Sequence, residues 1–296
     1  MQPVTNQTEA GSAKLLMAAA MCIYGSIGLF RRAIPVSSAS LAMCRGLIGV
    51  TVLLLYTRIS GKASDRQAIR ANRIKLLVSG ALIGFNWILL FEAYNYTTVA
   101  VASLCYYMEP VLVILLSPLV LGERVSRAKL LCVAVTLAGM VLVSGITRTG
   151  FTGGREMIGV ALGLGAAALY AVVVLLNKKL SPISPYDQTI WQLASAGIVL
   201  IPYLLLTGDQ TLLTAAPTTL GLILLVGVVH TGIAYAMYFG SMQGLRAQTI
   251  ALYSYIDPIL AIFLSVLILR EPLSFTEGIG AVLVIGAMLA GEFVKA

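Results

Sequence analysis

Apolar stretches of 17–24 residues recur along nearly the whole chain, separated by short polar or turn-forming segments. They cover residues 14–30, 38–57, 73–94, 98–121, 127–145, 157–177, 187–206, 218–240, 247–269 and 275–294. About 20 apolar residues in a helix cross the hydrocarbon core of a bilayer, so the pattern predicts ten transmembrane helices. The breaks carry helix-stopping residues, including Arg31-Arg32 before Pro35, Gly153-Gly154, Ser181-Pro182 before Pro185, and Gly208-Asp209. Ten spans use almost every residue and leave no room for a catalytic domain outside the membrane.

Composition closes off the alternatives. Apolar residues make up 59% of the chain, charged residues 11%, and the mean hydropathy is +0.94. A soluble domain carries roughly 25% charged residues, so soluble enzymes and nucleic-acid binders are excluded. The net charge of +8 therefore reads as basic loops on the cytoplasmic side. With the N-terminus inside, fourteen Lys and Arg fall in inside segments, most densely at Arg58, Lys62, Arg66, Arg70, Arg73 and Lys75. Five (Arg31, Arg32, Arg148, Arg155 and Arg270) fall outside, and Arg45 lies within a span. This bias predicts that both termini are cytoplasmic. The residues before Lys14 lack the basic segment of a signal peptide, so the first apolar run is expected to stay as a span. Cys22, Cys44, Cys105 and Cys132 all sit in apolar runs without metal-ligand spacing.

The two halves match at an offset of about 148 residues. Tyr107-Met108-Glu109-Pro110 in span four aligns with Tyr255-Ile256-Asp257-Pro258 in span nine. Leu121-Gly122-Glu123 aligns with Leu269-Arg270-Glu271, Ser126 with Ser274, and Gly84 with Gly232. Each half holds five helices, so the second is expected to lie upside down relative to the first. Inverted repeats with a site near the midplane are characteristic of secondary transporters. Duplicated bundles also occur in channels and membrane enzymes.

Ten spans as five plus five, the acidic-Pro pairs of spans four and nine, Gly-Glu or Arg-Glu closing each of them, and Arg45 in span two together resemble the EamA family of the drug/metabolite transporter superfamily. The resemblance covers essentially the whole chain. Within the family the sequence looks most like bacterial aromatic amino acid exporters of the YddG type. It implies a central cavity lined by spans one to four and six to nine, with spans five and ten peripheral. The implied substrates are amino acids and other small metabolites, moved outward. Gln192 stands where the repeat would place a partner for Arg45, so the halves differ in charge.

Several residues are candidates for contact with substrate. Ser103, Tyr106, Tyr107 and Pro110 are spaced to share one stripe of span four, and span nine repeats it with Ala251, Ser254, Tyr255 and Pro258. Tyr24, Trp87, Tyr94, Tyr170, Trp191, Tyr235 and Tyr238 offer aromatic lining for an aromatic substrate, although any one Tyr also suits packing or the membrane interface. Asn86, Ser103, Gln192, Asn177, Gln243 and His230, the single histidine, could recognise an amino or carboxylate group or simply join helices. His230, placed toward the start of span eight, could also carry a proton. Intramembrane charges are functional candidates by default, here Arg45, Glu92, Glu109 and Asp257. Arg45, Glu109, Pro110, Asp257 and Pro258 read as gating or structural residues. Pro110 and Pro258 are either hinges or fixed kinks. Ser274-Phe275-Thr276-Glu277 reads as a capping box opening span ten, and three Gly-x-x-x-Gly pairs (Gly80 and Gly84, Gly159 and Gly163, Gly240 and Gly244) predict close helix packing.

The sequence thus predicts two inverted five-helix repeats, residues 1–146 and 157–296, around a central cavity. The expected activity is secondary transport, exporting aromatic or hydrophobic amino acids across the bacterial inner membrane by alternating access. The first alternative is export of another small metabolite or a lipophilic drug; an integral-membrane enzyme or a pore ranks behind it. Uniport and proton antiport both fit. No cofactor and no metal site are expected, and the partners are the small-molecule substrate and membrane lipid.

Overall fold

The computed structural model describes residues 7–122, 126–143, 154–242, 245 and 253–293. These residues are nearly all helical. Seven helices are long and apolar enough to cross a membrane, and three shorter apolar helices bring the count among the described residues to ten. Ala251, Gln243 and Gly244 lie outside the described residues, as does Glu123.

Several spans are broken. Span one consists of α1 (Gln7–Gly25) and α2 (Ile27–Ala33), separated at Ser26. Spans two and three are continuous, as α3 (Ser38–Ile59) and α4 (Arg66–Tyr96). Helix α4 starts earlier than the apolar pattern suggests because Asp65 caps it, accepting hydrogen bonds from Gln67 N and Ala68 N at 2.9 and 3.0 Å. Two polar turns therefore extend the helix ahead of its apolar run. Span four is α5 (Val99–Tyr106) and α6 (Glu109–Leu121). The break falls where Pro110 has no N–H to offer the Tyr106 carbonyl, and α6 restarts with proline in its first turn, where no N–H is needed.

Span five is α7 (Arg127–Val143), span six α8 (Arg155–Lys178) and span seven α9 (Pro185–Thr207). Span eight changes character midway: α10 (Pro217–Leu225) passes into a π-helical stretch (Val226–Ile233) and then α11 (Ala234–Met242). His230 thus lies midway along span eight and not toward its start. The bounds 218–240 expected from the apolar run already put residue 230 at the middle of the span, and the structure keeps them nearly unchanged. Spans nine and ten hold α12 (Ile256–Leu267) and α13 (Phe275–Phe293). The capping box is present, with Ser274 N donating to Glu277 at 2.7 Å and Glu277 N donating to Ser274 Oγ at 3.3 Å.

Packing follows a regular scheme. Span three packs on spans six and seven, and span eight on spans one and two. Span four packs on six and span nine on one, while two meets seven, four meets nine, and five meets ten. Glycines set the close approaches. A Cβ on Gly280 of α13 would stand 2.6 Å from the Gly139 carbonyl oxygen of α7, and one on Gly139 would stand 2.9 Å from the Gly280 oxygen. Only glycine lets these two backbones meet.

Polar contacts tie the helix ends. At one end of the bundle Ser37 and Ser40, opening α3, donate to Asp209, which follows α9. At the same end Glu271 accepts from Arg32 at 2.6 Å, from Val99 N at 2.8 Å and from Ser265 Oγ at 2.6 Å. At the opposite end Asp65 N donates to Asp187, and Asn72 exchanges hydrogen bonds with the backbone of Ser181.

Candidate functional site

A cavity of about 410 Å³ lies among the broken spans. This is within the range of small-molecule sites, about 300–1,000 Å³. Its wall is largely aromatic. Span one provides Tyr24, span three Trp87 and Tyr94, span four Tyr106 and Tyr107, span six Tyr170, span eight Tyr235 and Tyr238, and span nine Tyr255. Tyr24 meets Tyr235 edge-on with ring centroids 5.5 Å apart, and Tyr106 meets Tyr170 at 5.9 Å. Stripes along the helices explain part of this wall: Ser103, Tyr106, Tyr107 and Pro110 all reach the cavity, as their spacing predicts.

The π-helical stretch explains another part. Five residues of an α-helix rotate about 500°, which would leave His230 and Tyr235 about 140° apart. The wider π turn rotates less per residue and brings both to the cavity.

Charged groups of both signs share this wall: Arg45, Glu109 and Asp257. Arg45 Nε donates to Thr231 Oγ1 at 3.1 Å, and its guanidinium lies 4.1 Å from the centre of the Trp87 ring and 5.4 Å from that of Phe91. The cation is thus held by a hydroxyl and two aromatic faces. Among the described residues no carboxylate comes within ion-pairing distance of Arg45, and Arg32–Glu271 is the one salt bridge. Glu109 enters from the break of span four and Asp257 from the turn at Tyr255 that precedes α12 in span nine, and Asp257 lies against Tyr107. Ser254 reaches the cavity from span nine.

His230 is buried, 2.9 Å from Ser26 Oγ at the break of span one, and its ring meets Phe30 edge-on at 4.7 Å. Among the described residues, the His230 Nδ1 and the Tyr24 hydroxyl are buried without hydrogen-bond partners.

Other expected residues lie elsewhere. Trp191 is 48% exposed on the outer surface of the bundle. Gln192, its neighbour on the opposite side of α9, is buried and donates to Ser79 at 2.7 Å and Asn177 at 2.6 Å, joining spans three, six and seven. Asn86 donates to the Ala166 carbonyl at 2.5 Å, between spans three and six. Pro258 is buried beside the cavity wall without forming part of it. Glu92 accepts from Ser38 at 2.8 Å near one helix end.

Two expectations about the lining change. Among the described residues span seven contributes nothing to the wall, because its inward face is spent on spans two and three, where Gly46, Gly80 and Gly84 approach its backbone. Span ten contributes Met288, which also lines a second cavity of about 260 Å³ beside Glu109, Cys132 and Thr136. The sequence offered no signal for Met288, one methionine among many apolar residues.

The EamA-like transporter family matches residues 11–145 and again 157–290. The chain belongs to this family. It is a multi-pass membrane transporter, and so not an enzyme. It is 27% identical over 288 residues to the uncharacterized transporter YxxF of Bacillus subtilis, covering 97% of this chain and 91% of that protein. Similarity to the protein RarD of Escherichia coli is 29% over 194 residues, 64% of this chain and 62% of RarD. A solved crystal structure shares the fold with a TM-score of 0.63 at 20% identity, covering 95% of this chain and 96% of that one.

Proposed function

We propose that this EamA-like transporter is a secondary exporter of aromatic or hydrophobic amino acids, of the YddG type, in the bacterial inner membrane. The observation that carries the reading is the composition of the 410 Å³ cavity among the described residues: one guanidinium without a carboxylate partner, two carboxylates, and a wall of tyrosines around Trp87. A zwitterion with an aromatic side chain complements all three. Its carboxylate goes to Arg45, its ammonium to the acceptors, and its ring to the tyrosines.

Arg45, Glu109 and Asp257 then bind substrate as well as shape the bundle, alongside Tyr24, Trp87, Ser103, Tyr106, Tyr107, His230, Tyr235, Ser254 and Tyr255. Asn86 and Gln192 support the site from outside it by joining spans three, six and seven, and Trp191 faces outward away from it. The breaks at Pro110 and Pro258 act as hinges, since each already interrupts its span.

Alternating access comes from two inverted repeats, residues 1–146 and 157–296. The packing scheme supports this reading: swapping one to five with six to ten exchanges three–six with eight–one, three–seven with eight–two and four–six with nine–one, and maps two–seven, four–nine and five–ten onto themselves. Basic residues place both termini in the cytoplasm, so the end tied by Glu271 and Asp209 faces outward. Purified protein in proteoliposomes is expected to take up labelled phenylalanine saturably, with competition by tryptophan and tyrosine. Competition by lipophilic cations alone would instead favour export of cationic drugs, and current without saturation would indicate a pore.

A further inference from the structure

The Ser26 hydroxyl fixes what its neighbour can do. Ser26 Oγ lies 2.8 Å from the Ile23 carbonyl, one turn back in α1, and donates its single hydrogen there. The hydrogen between Ser26 Oγ and His230 Nε2, 2.9 Å apart, must then come from the imidazole. A neutral ring protonated at Nε2 carries a lone pair at Nδ1. That Nδ1 is buried and has no hydrogen-bond partner among the described residues, while His230 forms part of the cavity wall. An acceptor left unmade inside a protein is unfavourable, so a buried one on a cavity wall marks where a ligand's donor belongs.

Its surroundings narrow the donor. Thr231, the next residue, holds Arg45, which offers only donors. Tyr24, whose hydroxyl is equally unpartnered, lines the same cavity. Donor and acceptor on one cavity wall match a head group that carries an anion next to a cation.

We propose that His230 Nδ1 is the acceptor for the substrate's ammonium group, held in the Nε2–H tautomer by Ser26, and that it sets a preference for amine-bearing ligands over their deaminated counterparts. The amino acid identity of the ligand rests on the proposed function; the tautomer and the preference for an amine do not. The break in span one and the π-helical stretch in span eight thereby serve one purpose: they bring a serine and a histidine from different halves into register.

The chain has a single histidine, so ¹⁵N-histidine magnetic resonance in lipid nanodiscs reports this ring alone. The expected spectrum shows a protonated Nε2 and an unprotonated Nδ1 whose resonance moves on adding L-phenylalanine or phenethylamine, and stays put with 3-phenylpropanoate. A ring protonated at Nδ1, or an Nδ1 that ignores both amines, overturns the proposal. If phenethylamine moves the resonance while phenylalanine is neither bound nor transported, the acceptor role stands and the amino acid reading fails.

Two variants separate ligand contact from helix joining. In His230→Asn the amide reaches the Nδ1 position and keeps an acceptor there, whereas in His230→Gln it reaches Ser26 and keeps the joint. Amine affinity is expected to fall about ten- to a hundredfold in His230→Gln, as for loss of a charged hydrogen bond, and to be better kept in His230→Asn. The reverse order, in variants with wild-type thermal transitions, overturns the proposal in favour of a packing role.

Discussion

Glu271 and Arg32 form the one salt bridge among the described residues, yet the two ends of that pair should not matter equally. Arg32 is about one-third exposed, and its Nη2 also donates to the Thr97 carbonyl at 2.8 Å. Truncating it to alanine removes a partly solvated ion pair, a type of contact that contributes about 0–1 kcal/mol. Glu271→Ala strips three donors at once. Val99 N, on a residue 1% exposed at the start of α5, loses its acceptor, and Ser265 Oγ loses its own. A buried N–H left unpaired costs about 1–3 kcal/mol, and each hydrogen bond to a charged group contributes about 1.5–3 kcal/mol. With Ser265 free to turn and Arg32 keeping Thr97, the net loss for Glu271→Ala is about 2–4 kcal/mol. Glu271→Gln, which keeps an oxygen for Val99 N, should lie near 1 kcal/mol. Thermal unfolding in detergent of Arg32→Ala, Glu271→Ala and the double variant gives both single losses and their coupling energy as a cycle, and Glu271→Gln is measured alongside. Equal losses for the two single variants, or a coupling energy as large as the Glu271→Ala loss, would show that the ion pair carries this joint and would refute the reasoning.

Arg45→Lys should weaken phenylalanine binding about tenfold or more while leaving phenethylamine within about threefold, because lysine cannot grip a carboxylate with two parallel hydrogen bonds; competition in a binding assay separates the two. Gly280→Ala is expected to destabilise the protein by about 1–3 kcal/mol, as in other overpacked cores, since its Cβ would meet the Gly139 carbonyl at 2.6 Å. Gly278→Ala, where that Cβ has open space, should lose no stability in the same thermal assay. Asp209 lies in a loop, where partial burial raises its pKa, but hydrogen bonds from Ser37, Thr211 and Ser40 outweigh this and hold it below the usual value. A lowered folded-state pKa gives stability that is present at neutral pH and lost as pH falls through that pKa. Asp209→Asn should therefore lower the melting temperature at pH 7, and the difference should shrink below about pH 4.

Helices and their boundaries were legible where they follow apolar runs, because a bilayer demands length and hydrophobicity in every span. The capping box of α13 and close packing at Gly80 and Gly84 were equally plain, since each is a local pattern; that span seven is the partner was not. Interruptions inside spans were not. Ser26 breaks span one without proline, and the π-helical stretch of span eight has no compositional mark beyond Gly227 and Gly232, which face Ile48 and Val52 of α3. Both depend on contacts between distant segments. The same distance explains the site. The offset of 148 residues sets Trp87 opposite Tyr235, and both reach the cavity, whereas the turn of α9 that points Gln192 inward sends Trp191 to the surface.

Trp87 lies in the cavity and Trp191 outside it, and these are the chain's two tryptophans. Trp191→Phe thus leaves one fluorophore stacked on Arg45, 4.1 Å away. Titration with L-phenylalanine, excited where the ligand does not absorb, should change Trp87 emission saturably, with tryptophan-free competitors such as tyrosine shifting the curve and Arg45→Met abolishing it. Trp87 emission that stays constant while the same protein transports phenylalanine saturably would place substrate elsewhere and contradict the account.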